Sequence, residues 1–67
     1  MKLSQLLHKV TPDQLLIVVD QLTEQPKTIL ARGNRTSIPK DSPLNSATVC
    51  TIYYVQAYMV VSVIQHN

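Results

Sequence analysis

The side chains able to do chemistry are few. The acids are Asp13, Asp20, Glu24 and Asp41. All fall in or beside segments that read as turns, and no spacing brings two carboxylates to one face, as acid–base catalysis requires. Asp20 reads as a strand terminator. Cys50 would be a nucleophile if a histidine stood beside it. Strand alternation, however, puts it on the face of Ile52, where a buried small hydrophobe is expected. His8 lies one residue off an apolar helical stripe and is expected to face solvent, while His66 sits at the opposite end of the chain. With one cysteine and two distant histidines there is neither an internal disulfide nor the ligand spacing of a zinc site. Gly33 is the only glycine, so no glycine-rich loop can cradle a phosphate. This inventory points away from an enzyme and implies neither metal nor cofactor. Asn34-Arg35-Thr36 has the form of a glycosylation sequon, but no secretory signal accompanies it.

The residue types that remain are those of binding surfaces. Tyr53, Tyr54 and Tyr58 are the only aromatics. They could stack on single-stranded nucleic acid or pack across strands with their hydroxyls at the surface. Adjacent strand residues point to opposite faces, so Tyr53 and Tyr54 cannot share one platform. Lys27, Arg32, Arg35 and Lys40 gather in the middle third of a chain whose formal net charge is only +2. They read either as a solubilising surface or as a basic rim for nucleic acid.

The elements that must position these residues follow from periodicity. Leu3, Leu6, Leu7 and Val10 repeat at i, i+3, i+4, i+7, the stripe of a short helix with Ser4 as a plausible cap. So short a helix is marginal alone and must bury its stripe on something larger. Thr11-Pro12-Asp13-Gln14 satisfies the pattern of a helix start. The run Leu15-Leu16-Ile17-Val18-Val19 that follows, closed by Asp20, is rich in β-branched residues and favours a strand. Within residues 12–22, which offer both signals, the run Leu15–Val19 closed by Asp20 therefore reads as strand in preference to helix, with Thr11–Asp13 as the turn into it. Gln21–Pro26 reads as a hairpin loop and Thr28–Arg32 as a second strand ended by Gly33-Asn34. Ser37–Ser46 suits an irregular crossover. Thr48–Val55 and Tyr58–Ile64 give the strongest strand signal, joined at Gln56-Ala57, which is not a favoured turn pair. The expected fold is α+β, one small domain over residues 1–67: a short N-terminal helix packed on a four-stranded antiparallel sheet, with the C-terminal strand central.

Two constraints then bear on function. A chain of 67 residues is near the lower limit for a self-sufficient core. Without a disulfide or metal, oligomerisation is the support left open. Both faces of the sheet are also apolar: Leu15, Ile17 and Val19 oppose Leu16 and Val18, and Met59, Val61 and Val63 oppose Tyr58, Val60 and Ile64. One helix covers one face, and the crossover looks too short and polar to cover the other, so a protein interface is expected there. No apolar stretch reaches the length of a membrane span, and Gln5, His8 and Lys9 interrupt any signal-peptide core. A cytoplasmic protein is the expectation.

The order of features resembles short Firmicutes phage and prophage proteins of unassigned function. The residues that carry the resemblance are the opening Lys2-Leu3-Ser4-Gln5-Leu6-Leu7, the Pro12-Asp13 turn before Ile17–Asp20, and the strand Ile29–Gly33. The Ile38-Pro39 pair and the closing strands Val49–Ile52 and Met59–Ile64 complete it. The chain has fewer acidic residues than that set. The resemblance implies a phage-associated accessory protein in a bacterial host and brings no catalytic residues. Taken with the two-sided sheet, it implies a protein that binds protein, as a homodimer through the second face, and could inhibit or redirect a host or defence factor. Arg32, Arg35, Tyr53, Tyr54 and Tyr58 are the expected contacts, because arginine and tyrosine dominate binding hot spots. A small basic nucleic-acid binder and a minor virion or assembly component are the alternatives.

Overall fold

The computed structural model describes residues 1–24 and 26–65. The chain runs α1 (Leu3–Leu7), β1 (Leu15–Asp20), β2 (Ile29–Gly33), two 3-10 turns (Arg35–Ser37 and Pro43–Ser46), β3 (Thr48–Val55) and β4 (Tyr58–Ile64). The β-branched run after Pro12 is a strand, and the last two strands have the bounds their composition predicts. Asp20 ends β1, its Oδ1 accepting from the Leu22 N–H at 3.0 Å.

The four strands lie in the order β2-β1-β4-β3. β1–β2 and β3–β4 are antiparallel hairpins, but β1 and β4 pair in parallel. The sheet is therefore mixed rather than purely antiparallel. The reason lies in the crossover: it carries the chain from Gly33, at one end of the sheet, back to Thr48 at the other, so β3 runs in the direction of β2 and β4 in the direction of β1. β4 is an interior strand, as expected, and β1 shares the centre with it.

Register fixes which side chains share a row across the sheet. On one face the rows are Gly33–Leu16–Met59–Tyr54 and Ala31–Val18–Val61–Ile52, with Val63 beside Val49 beyond them. Leu3, Leu6 and Leu7 of α1 close over this face, joined by Ile38, Leu44 and Ala47 from the crossover. The crossover thus contributes to the core more than its polar composition suggests. Its two turns bring three isolated apolar residues down onto the sheet, on the same side as the helix.

The helix is held by more than its stripe. The Leu3 N–H donates to the Ala47 carbonyl at 2.9 Å, and the Val49 N–H donates to the Met1 carbonyl at 2.8 Å. Lys2 bridges Thr48, so the segment before α1 lies along the outer edge of β3. The helix begins at Leu3, not beyond a Ser4 cap, and the Gln5 side chain closes its start by accepting from the Lys2 N–H at 2.8 Å.

Two backbone positions carry the tight connections. Gln56 takes φ 55° in the β3–β4 turn, the conformation that made Gln56-Ala57 an unfavoured pair. Gly33 takes φ +132° where β2 ends, and a Cβ there would overlap the Ser37 hydroxyl. That hydroxyl accepts from the Asn34 N–H, and the Asn34 side chain caps the Arg35–Ser37 turn by accepting from the Thr36 N–H at 3.0 Å.

Leu3→Ala empties a fully buried position and is expected to cost about 3 kcal/mol, most of the roughly 3–5 kcal/mol available to a core of this size. Urea unfolding followed by circular dichroism measures it; a loss under about 1 kcal/mol would show that α1 is not fastened to the sheet. Gly33→Ala forces a side chain into a conformation closed to L-residues and is expected to destabilise by about 2 kcal/mol or more, read in the same titration.

Candidate functional surface

Among the described residues, the face opposite α1 carries no helix. Its rows are Leu15–Tyr58–Val55, Arg32–Ile17–Val60–Tyr53 and Ile29–Val19–Ser62–Thr51. Val19 and Val60 are buried yet stand outside the main core cluster. They lie mid-sheet, flanked by Ile29, Ile17 and Tyr53 in their own rows. Ser62 is also buried here, and its hydroxyl is satisfied by Thr51 across the β3–β4 pair. The margin of the face is apolar and open: Leu15, Ile29, Tyr53 and Val55 are between 38% and 55% exposed.

One charged side chain lies on these rows. Arg32 reaches across β1 to Tyr58, two strands away and hence about 10 Å, where its guanidinium sits 5.4 Å from the ring centroid. Its Nη2 donates to the Tyr58 hydroxyl at 3.4 Å. That hydrogen bond, and then the electrostatic interaction with the same group, raise the arginine above its ordinary pKa against a desolvation effect of opposite sign. Arg32 is therefore a permanent cation laid over an apolar floor, and no carboxylate shares its rows.

The five expected contact residues do not form one site. Arg32, Tyr53 and Tyr58 share the open face. Tyr54 is on the helix side by register with Met59, at the sheet edge and 62% exposed. Arg35 also lies on the helix side, its Nη1 donating to the Val10 carbonyl at 3.0 Å. Leu15, Ile29 and Val55 belong to the open face but were not among the expected contacts. The signal for Leu15 lay in the alternation of β1, whereas Ile29 and Val55 needed the register.

The basic rim does not form either. Lys27 Nζ is turned back onto the carbonyls of Gln21 and Thr23 at 2.8 and 2.9 Å, closing the β1–β2 loop. Arg35 and Lys40 line one shallow groove on the helix side with Leu7, His8, Ile38 and Asn45, while Arg32 lies on the opposite face and Lys27 in the β1–β2 loop, so the four cations do not share one surface. His8 is exposed; His66 and Gln25 lie outside the described residues. Among the described residues, no cluster of three or more histidine, cysteine or acidic side chains could hold a metal ion, and no helix is long and apolar enough to cross a membrane.

Cys50 departs from expectation. It is exposed: it is the extra residue of a bulge between Val49 and Thr51 on an edge strand, where even Ile52, whose face it was expected to share, is 43% exposed.

Comparison with protein-family models, curated proteins and solved structures finds no match to this chain.

The exposed Cys50 thiol is expected to react stoichiometrically with a water-soluble disulfide reagent in the folded protein, at a rate that denaturant raises little. Protection by about tenfold or more would place it inside the fold and remove the bulge.

Proposed function

We propose that this chain is a phage-type accessory protein that works by binding another protein, not by catalysis, and that the open sheet face is its contact surface. The observation that carries the reading is the apolar margin of that face, Leu15, Ile29, Tyr53 and Val55, left uncovered around a single cation. Contiguous apolar ground of this kind marks interaction sites on small proteins. The chemistry also describes the partner. Among the described residues no carboxylate shares the strand rows of Arg32, so burial against a purely apolar surface would desolvate an unpaired charge. The fitting partner is an apolar protein surface with an aspartate or glutamate set to meet Arg32. Binding by such a surface would block or redirect a bacterial host or defence factor by occupancy alone.

A second reading has one observation in its favour. The helix-side groove brings His8, Arg35 and Lys40 together without an acid in its lining, which would suit a nucleic-acid backbone. Such binding would weaken steeply with salt.

Purification of the tagged chain from bacterial lysate, with and without nuclease, separates the two when repeated with Arg32→Glu and Lys40→Glu. The expected result is a partner protein that survives nuclease and is kept by Lys40→Glu. Arg32→Glu should weaken it by about 30-fold, the equivalent of a 2 kcal/mol hot spot. Nucleic acid that nuclease releases, lost with Lys40→Glu and kept with Arg32→Glu, would overturn the proposal and move function to the groove.

A further inference from the structure

The outer edge of β3 is a strand edge without the usual protection. Ile52, Tyr53, Tyr54 and Val55 follow one another at 43%, 51%, 62% and 52% exposure. The strand Thr48–Val55 contains no charge, proline or glycine. Natural edges are blunted by such residues because a bare edge templates pairing with another chain. Among the described residues, only Met1 and Lys2 lie along this edge, beside Val49 and Thr48. The rest of it, from Cys50 to Val55, is open.

The direction of the backbone groups follows from the hairpin. A two-residue connection makes Val55–Tyr58 its closing hydrogen-bonded pair. Alternation then turns the N–H and C=O of Tyr54 and Ile52 away from β4. Val49 obeys the same rule after the one-residue bulge, since its N–H reaches outward to Met1. The open edge thus presents two residues with outward donors and acceptors, bounded by the Met1–Lys2 segment at one end and the Gln56-Ala57 turn at the other.

We infer that this edge pairs with β3 of a second copy, antiparallel about a two-fold axis at Tyr53, to give a continuous eight-stranded sheet. In this register Ile52 of each copy pairs with Tyr54 of the other, so all the outward backbone groups of both residues are used. Tyr53 meets its symmetry mate on the open face, and Ile52 packs beside Tyr54 on the helix side, an aromatic–β-branched pairing of the favourable kind. A two-fold axis at Ile52 instead would drive the hairpin turn of one copy into the Met1–Lys2 segment of the other. An axis at Tyr54 would set Ile52 against that turn and leave its groups unpaired. Charge favours the edge over the face as the joint between copies. β3 brings no like charges together, whereas face-to-face association would bury two Arg32 guanidiniums without a carboxylate. The homodimer expected through the second face is in this way moved to the sheet edge. The inference rests on the protein-binding reading in that edge pairing leaves both open faces side by side as one larger surface.

The strip offers on the order of 400–500 Å² per copy, since a half-exposed tyrosine contributes about 100 Å². This is less than the roughly 800 Å² per partner of a standard interface, so dissociation in the micromolar range is expected. The test is sedimentation of the wild type between about 1 and 500 µM, together with oxidation of two double variants, Tyr53→Cys/Cys50→Ser and Val55→Cys/Cys50→Ser. The expected mass rises from 7.5 kDa toward twice that value, and Ile29→Asp on the open face leaves the rise unchanged. Cysteine at 53 should cross-link across the axis with oxidised glutathione. Cysteine at 55 should not, because it faces Thr51 of the partner copy and its own symmetry mate is about 13 Å off, beyond disulfide reach. A monomer at every concentration would overturn edge pairing, and so would equal cross-linking at 53 and 55 or a dimer that Ile29→Asp dissolves. A monomer that still captures a protein in an Arg32-dependent manner would overturn edge pairing alone.

Discussion

The parallel pairing of β1 with β4 is the interaction on which the molecule depends. It places Leu16 beside Met59 and Val18 beside Val61, and these side chains form the floor on which α1 and the crossover rest. Without it the chain would be two hairpins, each too small to hold itself together in water. Its price is long-range closure: residues far apart in sequence must meet before either hairpin gains a second neighbour. Nearly every local device in the chain serves that closure, from the Asn34 and Ser42 caps of the two 3-10 turns to the clasp of Met1 on Val49.

The same pairing explains why one face is covered and the other is not. In a mixed four-stranded sheet of this size both faces of the central strands are apolar, because β-branched residues fill consecutive positions. The helix and the crossover both fall on the side of Leu16 and Val61. The opposite side is left to its own side chains, with Val60 sheltered in its row and Arg32 reaching across β1 to Tyr58. That arrangement serves an isolated chain only in part, since it leaves apolar residues in contact with water at the margin. An acidic, otherwise apolar partner would complete it by neutralising Arg32 and covering Leu15 and Ile29 together.

How much of this was legible in the sequence depends on the range of the interaction involved. The strands Thr48–Val55 and Tyr58–Ile64 could be read because β-branched and aromatic residues declare themselves locally. The opposition of Tyr53 and Tyr54 could be read because alternation is local as well. The parallel alignment of β1 and β4 could not, since nothing near either strand records which distant strand lies beside it. Cys50 was misjudged for a related reason: it is the unpaired residue of a bulge in an edge strand, and no residue type marks the bulge. Ile38, Leu44 and Ala47 were passed over because each stands alone among polar neighbours, and only the path of the crossover unites them. The candidate contacts were legible as types, while their division between two faces was a matter of register and connection.

The most direct test of the account is nuclear magnetic resonance of the isotope-labelled chain with a soluble nitroxide, reading the paramagnetic broadening of each methyl signal. The account predicts strong broadening at Leu15, Ile29 and Val55 on the open face, and protection at Leu3, Leu16, Val61 and Val63 beneath the helix. Protection of Leu15, Ile29 and Val55 to the same degree as the core methyls would contradict it, because the face assigned to a partner would then already be covered.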